Sequence, residues 1–140
     1  MDLAIVGAGR VGTSLAVLWQ RAGHRIVAVA GGPATPERAA RFLPGVPVVD
    51  AVRAAAGAEV VVIATPDAVI ASVCQQMSEA GALGSASAVV HASGATGLDA
   101  LDAVRPYVTL ADLALALAQR SGRVPPRGRE AVEEVLVRWR

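Results

Sequence analysis

Short apolar runs alternate with longer segments of helical pattern along the first 104 residues of the chain. The runs are rich in valine, isoleucine and alanine and end in glycine or polar turns, which is typical of buried parallel strands. Between the runs, apolar residues recur three and four positions apart, as on one face of a helix. The predicted strands cover residues 3–6, 25–30, 46–49, 59–64 and 88–91, and the predicted helices cover residues 13–22, 36–42, 51–56, 68–79 and 98–104.

Strands that alternate with helices form βαβ units, whose right-handed crossovers produce a parallel sheet with helices on its faces. The pattern therefore predicts an α/β fold built on a doubly wound parallel sheet. Thr35 and Asp50 are the expected N-caps of the second and third helices. Gly23 and Gly57 follow the first and third helices, where a glycine commonly ends a helix.

The composition indicates one domain and excludes several functional classes. With 140 residues, 54% of them hydrophobic and 18% charged, the chain is neither disordered nor long enough for two ordinary domains. A net charge of +1 and an aromatic content of 3% argue against nucleic-acid binding. All 13 basic residues are arginine, so Schiff-base and Walker-lysine chemistry are excluded. Cys74 is the single cysteine and two histidines stand far apart, so the sequence predicts no disulfide and no metal site.

The sequence also shows no recognisable membrane or targeting segment. The N-terminus has no basic signal-peptide region, and no apolar stretch approaches the roughly 18 residues of a membrane-spanning helix. We therefore expect a cytoplasmic protein without membrane association.

A glycine-rich motif follows the first predicted strand and opens the first predicted helix. A Gly-x-Gly-x-x-Gly motif in this context is typical of dinucleotide-binding folds of the Rossmann type. The first glycine permits the tight turn, the second lets the backbone approach a pyrophosphate, and the third permits close packing of helix and strand. Free N–H groups and the dipole at the helix start attract the phosphates. A purely structural turn is the alternative. The motif consists of Gly7, Ala8, Gly9, Arg10, Val11 and Gly12.

The end of the second predicted strand favours NADP over NAD as the cofactor. An NAD site usually places an acid there for the ribose 2′-hydroxyl, but the chain has Gly31 and its neighbours Gly32 and Pro33. Arg10 in the turn and Arg38 just beyond the strand can pair with a 2′-phosphate. For Arg38 and the nearby Arg41, a solvent-exposed helix face is the alternative interpretation.

Two further loops follow predicted strands, at the edge where ligands bind in doubly wound sheets. Residues Thr65, Pro66 and Asp67 form the first, and the Thr65 hydroxyl can border a ribose or nicotinamide, while Asp67 is alternatively the N-cap of the next helix. In the second, Ser93 can hydrogen-bond a ligand and Gly94 permits close approach. His91 is a candidate proton donor, so His91 and Ser93 are the predicted catalytic residues, although a lone histidine at a strand end is often structural.

The segment after residue 105 differs in composition and divides the chain into a nucleotide-binding domain, residues 1–105, and an arginine-rich tail, residues 106–140. Thr109 and Asp112 resemble a capping box and predict a helix over 110–119. A loop over 121–128 and an amphipathic helix over 129–139 follow. The last helix is expected to pack on the sheet, with a dimer contact or a poorly ordered tail as alternatives. Its apolar stripe consists of Val132, Val135, Leu136 and Trp139.

Three segments together resemble a known family. They are residues 4–12 (AIVGAGRVG), 61–67 (VVIATPD) and 89–95 (VVHASGA). The chain resembles the Rossmann-like family that carries a C-terminal domain of unknown function 2520, and more loosely pyrroline-5-carboxylate reductase and the 6-phosphogluconate-dehydrogenase-like superfamily. The resemblance covers about residues 1–105 and implies the NAD(P)-binding domain of an oxidoreductase. Members continue with a His-Pro-Leu segment and a helical domain, whereas this chain continues with Arg105-Pro106-Tyr107.

Three functions fit these observations. The first is hydride transfer between NADP(H) and a small carbonyl or imine substrate, because the cofactor would carry the chemistry and the protein would orient it. The second is a non-catalytic NADP-binding module, or a truncated subunit that acts through a homodimer or a partner subunit. The third is a truncated chain without function.

Overall fold

Five parallel strands form a single sheet in the computed structural model, which describes residues 1–84, 86 and 88–112. The strands are β1 (Asp2–Val6), β2 (Arg25–Ala30), β3 (Val60–Ile63), β4 (Ala88–His91) and β5 (Thr109–Asp112). Their order is β2-β1-β3-β4-β5, and each neighbouring pair is parallel. The order changes direction between β1 and β3, which is the topological switch point of a doubly wound sheet. The predicted fold class is confirmed.

Helices cover both faces of the sheet. They are α1 (Arg10–Arg21), α2 (Thr35–Phe42), α3 (Ala51–Ala56), α4 (Asp67–Glu79) and a 3₁₀ helix (Leu98–Val104). Successive strand residues point to opposite faces. Leu3 and Ile5 therefore pack with α1 and α2, whereas Ala4 and Val6 pack with α3, α4 and the 3₁₀ helix. Among the described residues no helix is long and apolar enough to cross a membrane.

Most helix boundaries agree with the prediction. The Asp50 carboxylate accepts a hydrogen bond from the Arg53 N–H at 2.9 Å and caps α3, and Gly57 ends that helix. Gly23 follows α1 with a φ of 90°, the conformation in which glycine ends a helix. Thr35 is not an N-cap, since α2 begins at Thr35 itself after Ala34.

The predicted strand over residues 46–49 is wrong. Only Val48 forms a bridge, with Val29 at the outer edge of β2. Pro47 lacks a backbone N–H and contributes only its carbonyl oxygen, which accepts from the Val29 N–H at 2.9 Å. A proline within so short a run therefore limits its pairing.

The predicted helix over 110–119 is wrong at its start, because residues 109–112 form β5. Leu110 and its neighbours pair in parallel with β4, and Leu110 is buried. The sheet thus extends beyond residue 105, the predicted boundary between the nucleotide-binding domain and the tail. Pairing with a buried strand outweighs the capping-box pattern of the sequence. The predictions for residues 113–119, 121–128 and 129–139 lie outside the described part of the chain.

Candidate functional site

A cleft of about 430 Å³ lies at the carboxyl edge of the sheet, where the loops after β1, β2 and β3 meet. This position is the switch point at which doubly wound folds bind their ligands. The cleft is lined by Gly7, Ala8, Gly9, Gly31, Gly32, Pro33, Ala34, Thr35, Arg38, Ala64, Thr65, Pro66 and Val69.

The three glycines of the sequence motif occupy different environments. Gly7 has a φ of 99°, and a Cβ atom there would lie 2.5 Å from the Thr65 backbone nitrogen. A Cβ atom on Gly12 would lie 2.2 Å from the Gly7 carbonyl oxygen. A Cβ atom on Gly9 would meet nothing within 4 Å. Gly7 and Gly12 therefore allow close backbone packing, whereas Gly9, which lines the cleft, has open space beside it.

Three helices begin at this cleft without a side-chain cap. The N-cap residues of α1, α2 and α4 are Gly9, Ala34 and Pro66, and none of them accepts a hydrogen bond through its side chain. By contrast, α3 begins away from the cleft and is capped by Asp50. The first N–H groups of a helix need partners from outside the helix, and its dipole favours negative charge there. Three uncapped N-termini meet at this cleft, and α1 also has no acidic residue in its first turn, whereas α2 has Glu37 and α4 has Asp67, so an anionic ligand is favoured most at the start of α1.

The side chains of the lining favour the same kind of ligand. Arg38 is half-buried and is the one charged residue among the described residues that line the cleft, which include no carboxylate. The Thr65 Oγ1 atom is buried and makes no hydrogen bond within the described part of the chain. A buried hydroxyl without a partner is costly, so a ligand that hydrogen-bonds to it gains free energy of binding.

Hydrogen bonds fix the peptide groups of the glycine-rich turn. The N–H groups of Gly7 and Ala8 both donate to the Ala30 carbonyl oxygen, at 2.8 and 2.9 Å. The Ala8 carbonyl oxygen accepts from Thr13 Oγ1 at 3.2 Å and from Arg38 Nη1 at 3.0 Å. The turn is thereby attached to β2, α1 and α2.

The two other candidate arginines lie outside the cleft. Arg10 lines a neighbouring groove of about 470 Å³ between α1 and α2, together with Leu18 and Phe42. Arg38 lines both the groove and the cleft. Arg41 packs over the Phe42 ring at 5.0 Å from its centroid, a cation–π contact on the helix surface.

The loop after β4 lies beside the loop after β3, because the Ala92 N–H donates to the Ile63 carbonyl oxygen at 2.9 Å. His91 is fully buried, and its Nδ1 accepts from the Ser93 N–H at 3.2 Å. In a neutral imidazole an accepting Nδ1 leaves the proton on Nε2. Ser93 Oγ accepts from the N–H groups of Ala95 and Thr96, at 3.2 and 3.1 Å. This geometry favours a structural role for His91 over contact with a substrate.

The remaining predicted residues are placed as follows. Asp67 is exposed and begins α4 without a capping bond, so its interpretation as the N-cap is wrong. Val11 is 57% exposed and Gly94 is exposed. Asp67, Val11, Gly94 and Ser93 do not belong to the described lining of the cleft. The predicted residues that do line it are Gly7, Ala8, Gly9, Gly31, Arg38, Thr65 and Pro66.

Sequence reasoning missed part of the lining. Gly32, Pro33 and Ala34 complete the loop after β2, and the Gly-Gly-Pro run was an available signal for a loop with an exposed backbone. Thr35 and Val69 had no such signal, because their helical positions reach the cleft only through the tertiary fold.

A doubly wound parallel sheet with a glycine-rich turn and uncapped helices at its switch point defines the Rossmann class of α/β folds. The sequence matches the model of the Rossmann-like domain over residues 1–118, and the chain belongs to this family.

Solved structures show the same fold. A provisionally named NADP oxidoreductase from Bacteroides fragilis superposes with a TM-score of 0.64 at 23% identity, over 79% of this chain and 42% of that one. The imine reductase of Streptomyces aurantiacus has a TM-score of 0.60 at 20% identity, over 79% and 39% of the two chains. UDP-N-acetylglucosamine 3-dehydrogenase of Acidithiobacillus ferrooxidans has a TM-score of 0.61 at 17% identity, over 86% and 43%. The chain spans less than half of each of these proteins, and no curated protein matches its sequence.

Proposed function

We propose that the chain binds NADP(H) in the cleft and is the nucleotide-binding domain of an oxidoreductase. The observation that carries the proposal is the convergence of three uncapped helix N-termini on one cleft at the switch point of the sheet. Two phosphates linked as a pyrophosphate supply the negative charge that such termini favour. The open side of Gly9 leaves room for them.

The end of β2 supports NADP over NAD. No carboxylate stands among the described lining residues to accept a hydrogen bond from the ribose 2′-hydroxyl. Arg38 reaches the same rim, and its planar guanidinium can pair with a 2′-phosphate while one N–H bonds Ala8. Arg10 is the second candidate, from the neighbouring groove.

The rest of the cofactor fits the remaining lining. Pro33, Pro66 and Val69 offer apolar surface to the adenine base. Thr65 lines the cleft and would border a ribose there. When bound, the nicotinamide would supply hydride transfer, and this chain would orient it and exclude water. His91 would act by holding the backbone of Ser93 beside the site.

We expect the substrate to be a small carbonyl or imine compound, because hydride transfer from a nicotinamide reduces such a group. An imine reductase among the structures of the same fold supports this choice. A homodimer or a partner subunit is part of this proposal, as a source of residues for the substrate side of the cleft.

A non-catalytic NADP-binding module is the second candidate function. The environments of the two predicted catalytic residues favour it. His91 is fully buried, and Ser93 Oγ already accepts hydrogen bonds from two backbone N–H groups. Tight NADPH binding without turnover over a broad panel of carbonyl and imine compounds would distinguish it from the enzyme.

Fluorescence titrations with NADPH and NADH test the proposal. We expect micromolar binding of NADPH, weaker binding of NADH, and a loss of this preference in R38Q. R41Q is the matched control, because Arg41 lies on the same helix but outside the cleft. Equal affinities for NADH and NADPH in the wild-type protein would contradict the NADP assignment, and the absence of binding would contradict the proposed function.

A further inference from the structure

The Ala8–Gly9 peptide group lies at the centre of the proposed phosphate site. Its carbonyl oxygen accepts two hydrogen bonds, from Thr13 Oγ1 and from Arg38 Nη1. A carbonyl oxygen has two lone pairs, so both are used. Thr13 is buried in the first turns of α1, and Arg38 comes from α2, thirty residues along the chain. Two separate elements therefore hold one peptide group.

The orientation of this peptide determines where the next N–H group points. The chain has no cis peptide bond among its described residues, and in a trans peptide the C=O and N–H vectors are opposite. Because the Ala8 oxygen points toward its donors on α1 and α2, the Gly9 N–H points in the opposite direction. Gly9 itself lines the cleft, and a Cβ atom added to it would meet nothing within 4 Å.

We infer that Thr13 and Arg38 are positioning residues, which hold the Ala8–Gly9 peptide so that the Gly9 N–H donates to a phosphate of the dinucleotide. This inference rests on the proposed function. Glycine at position 9 has a soft backbone, so without these two bonds the peptide rotates and the donor is lost. Arg38 then has two functions, since it braces the turn and meets the 2′-phosphate.

Thr13 separates the two functions, because it reaches the peptide but does not line the cleft as described. In T13V the hydroxyl is replaced by a methyl group of similar size. We expect NADH and NADPH to bind more weakly by the same factor, of up to about tenfold, since one bond in place of two then holds the peptide and its hydrogen bond to the charged phosphate is weakened. T13S keeps the hydroxyl and restores both affinities. In R38Q, by contrast, NADPH binding falls by a larger factor than NADH binding.

The matched control is S72A. Ser72 lies on α4, and its hydroxyl also donates to a backbone carbonyl, that of Val69 at 2.9 Å, but Ser72 is exposed and lines neither the cleft nor the groove as described. We expect S72A to bind both nucleotides as the wild-type protein does.

The experiment combines calorimetric titration of NADH and NADPH with the amide NMR signal of Gly9 and the thermal unfolding of each variant. The inference predicts that the Gly9 signal shifts downfield with NADH in the wild-type protein and T13S, and that this shift is reduced in T13V. Wild-type affinity in a folded T13V, or weaker binding in T13S and T13V alike, would overturn the inference while leaving the proposed function intact. The absence of nucleotide binding by the wild-type protein would overturn both.

Discussion

Two alanine substitutions in the glycine-rich turn are predicted to have opposite effects on stability and on binding. At Gly12 the added Cβ atom would lie 2.2 Å from the Gly7 carbonyl oxygen and 3.0 Å from Ile5 Cγ2. At Gly9 it would meet nothing within 4 Å, and the φ of −77° suits alanine. G12A is therefore expected to destabilise the fold, whereas G9A is expected to impair nucleotide binding alone.

The expected loss in the free energy of unfolding of G12A is the sum of two opposing contributions. Overpacking commonly costs about 1–3 kcal/mol, and a contact with a backbone carbonyl belongs near the upper end because no side-chain rotation relieves it. Alanine gains about 1 kcal/mol over glycine inside a helix. The net loss is about 2 kcal/mol, which lowers the Tm by roughly 7 °C for a domain of this size.

G9A is expected to change the Tm by no more than about 2 °C, because the weaker N-cap and the stiffer unfolded chain offset each other. Gly9 lines the cleft, so we expect the added methyl group to hinder the approach of a phosphate. The loss of a hydrogen bond to a charged group weakens NADPH binding by at least about tenfold.

Calorimetric titration with NADPH and thermal unfolding by circular dichroism measure both effects on the same samples. The matched control is G57A, since Gly57 also has open space around it but lies away from the cleft. Unchanged NADPH affinity in G9A would refute the phosphate site at this turn. Unchanged stability in G12A would refute the close packing of α1 on the turn.

Three further predictions concern the rest of the fold. D50A loses the cap of α3 and about 1 kcal/mol of the free energy of unfolding measured in urea, whereas D67A, which loses no capping bond but removes a negative charge from the first turn of α4, loses about 0.3 kcal/mol. The Arg25 guanidinium holds the pKa of Asp2 below its ordinary value, so the pair contributes stability above the unfolded-state pKa of Asp2 and loses it as pH falls through the lowered pKa. An NMR titration should show that R25Q raises this pKa, and an unchanged value would contradict the pairing. Burial raises the pKa of the Cys74 thiol to about 11, so this group contributes stability that is lost as pH rises from the ordinary thiol range through that value. At pH 8 Cys74 should react with a disulfide reagent only after unfolding, and rapid reaction of the native protein would disagree with its burial.

Local signals in the sequence predicted the part of the fold around the glycine-rich turn. Strand β1, the turn and α1 follow one another within about twenty residues, and their periodicity and glycines are local properties. The same holds for α3, whose N-cap residue Asp50 and terminal glycine Gly57 directly flank the helix.

The features that the sequence did not predict depend on contacts between residues that lie far apart along the chain. Residues 109–112 become a strand because β4 is available beside them, which no local pattern shows. Burial of His91 depends on its position within the sheet, and the contact of Arg38 with Ala8 joins residues thirty positions apart. The candidate site was therefore predicted in its glycines but not in the side chains that hold them.

An amide NMR titration of the 140-residue chain with NADPH tests the central claim most directly. We expect saturable shifts that are largest in the three loops around the cleft, at residues 7–9, 31–35 and 64–66. A spectrum that NADPH leaves unchanged, or shifts confined to the groove between α1 and α2, would contradict it.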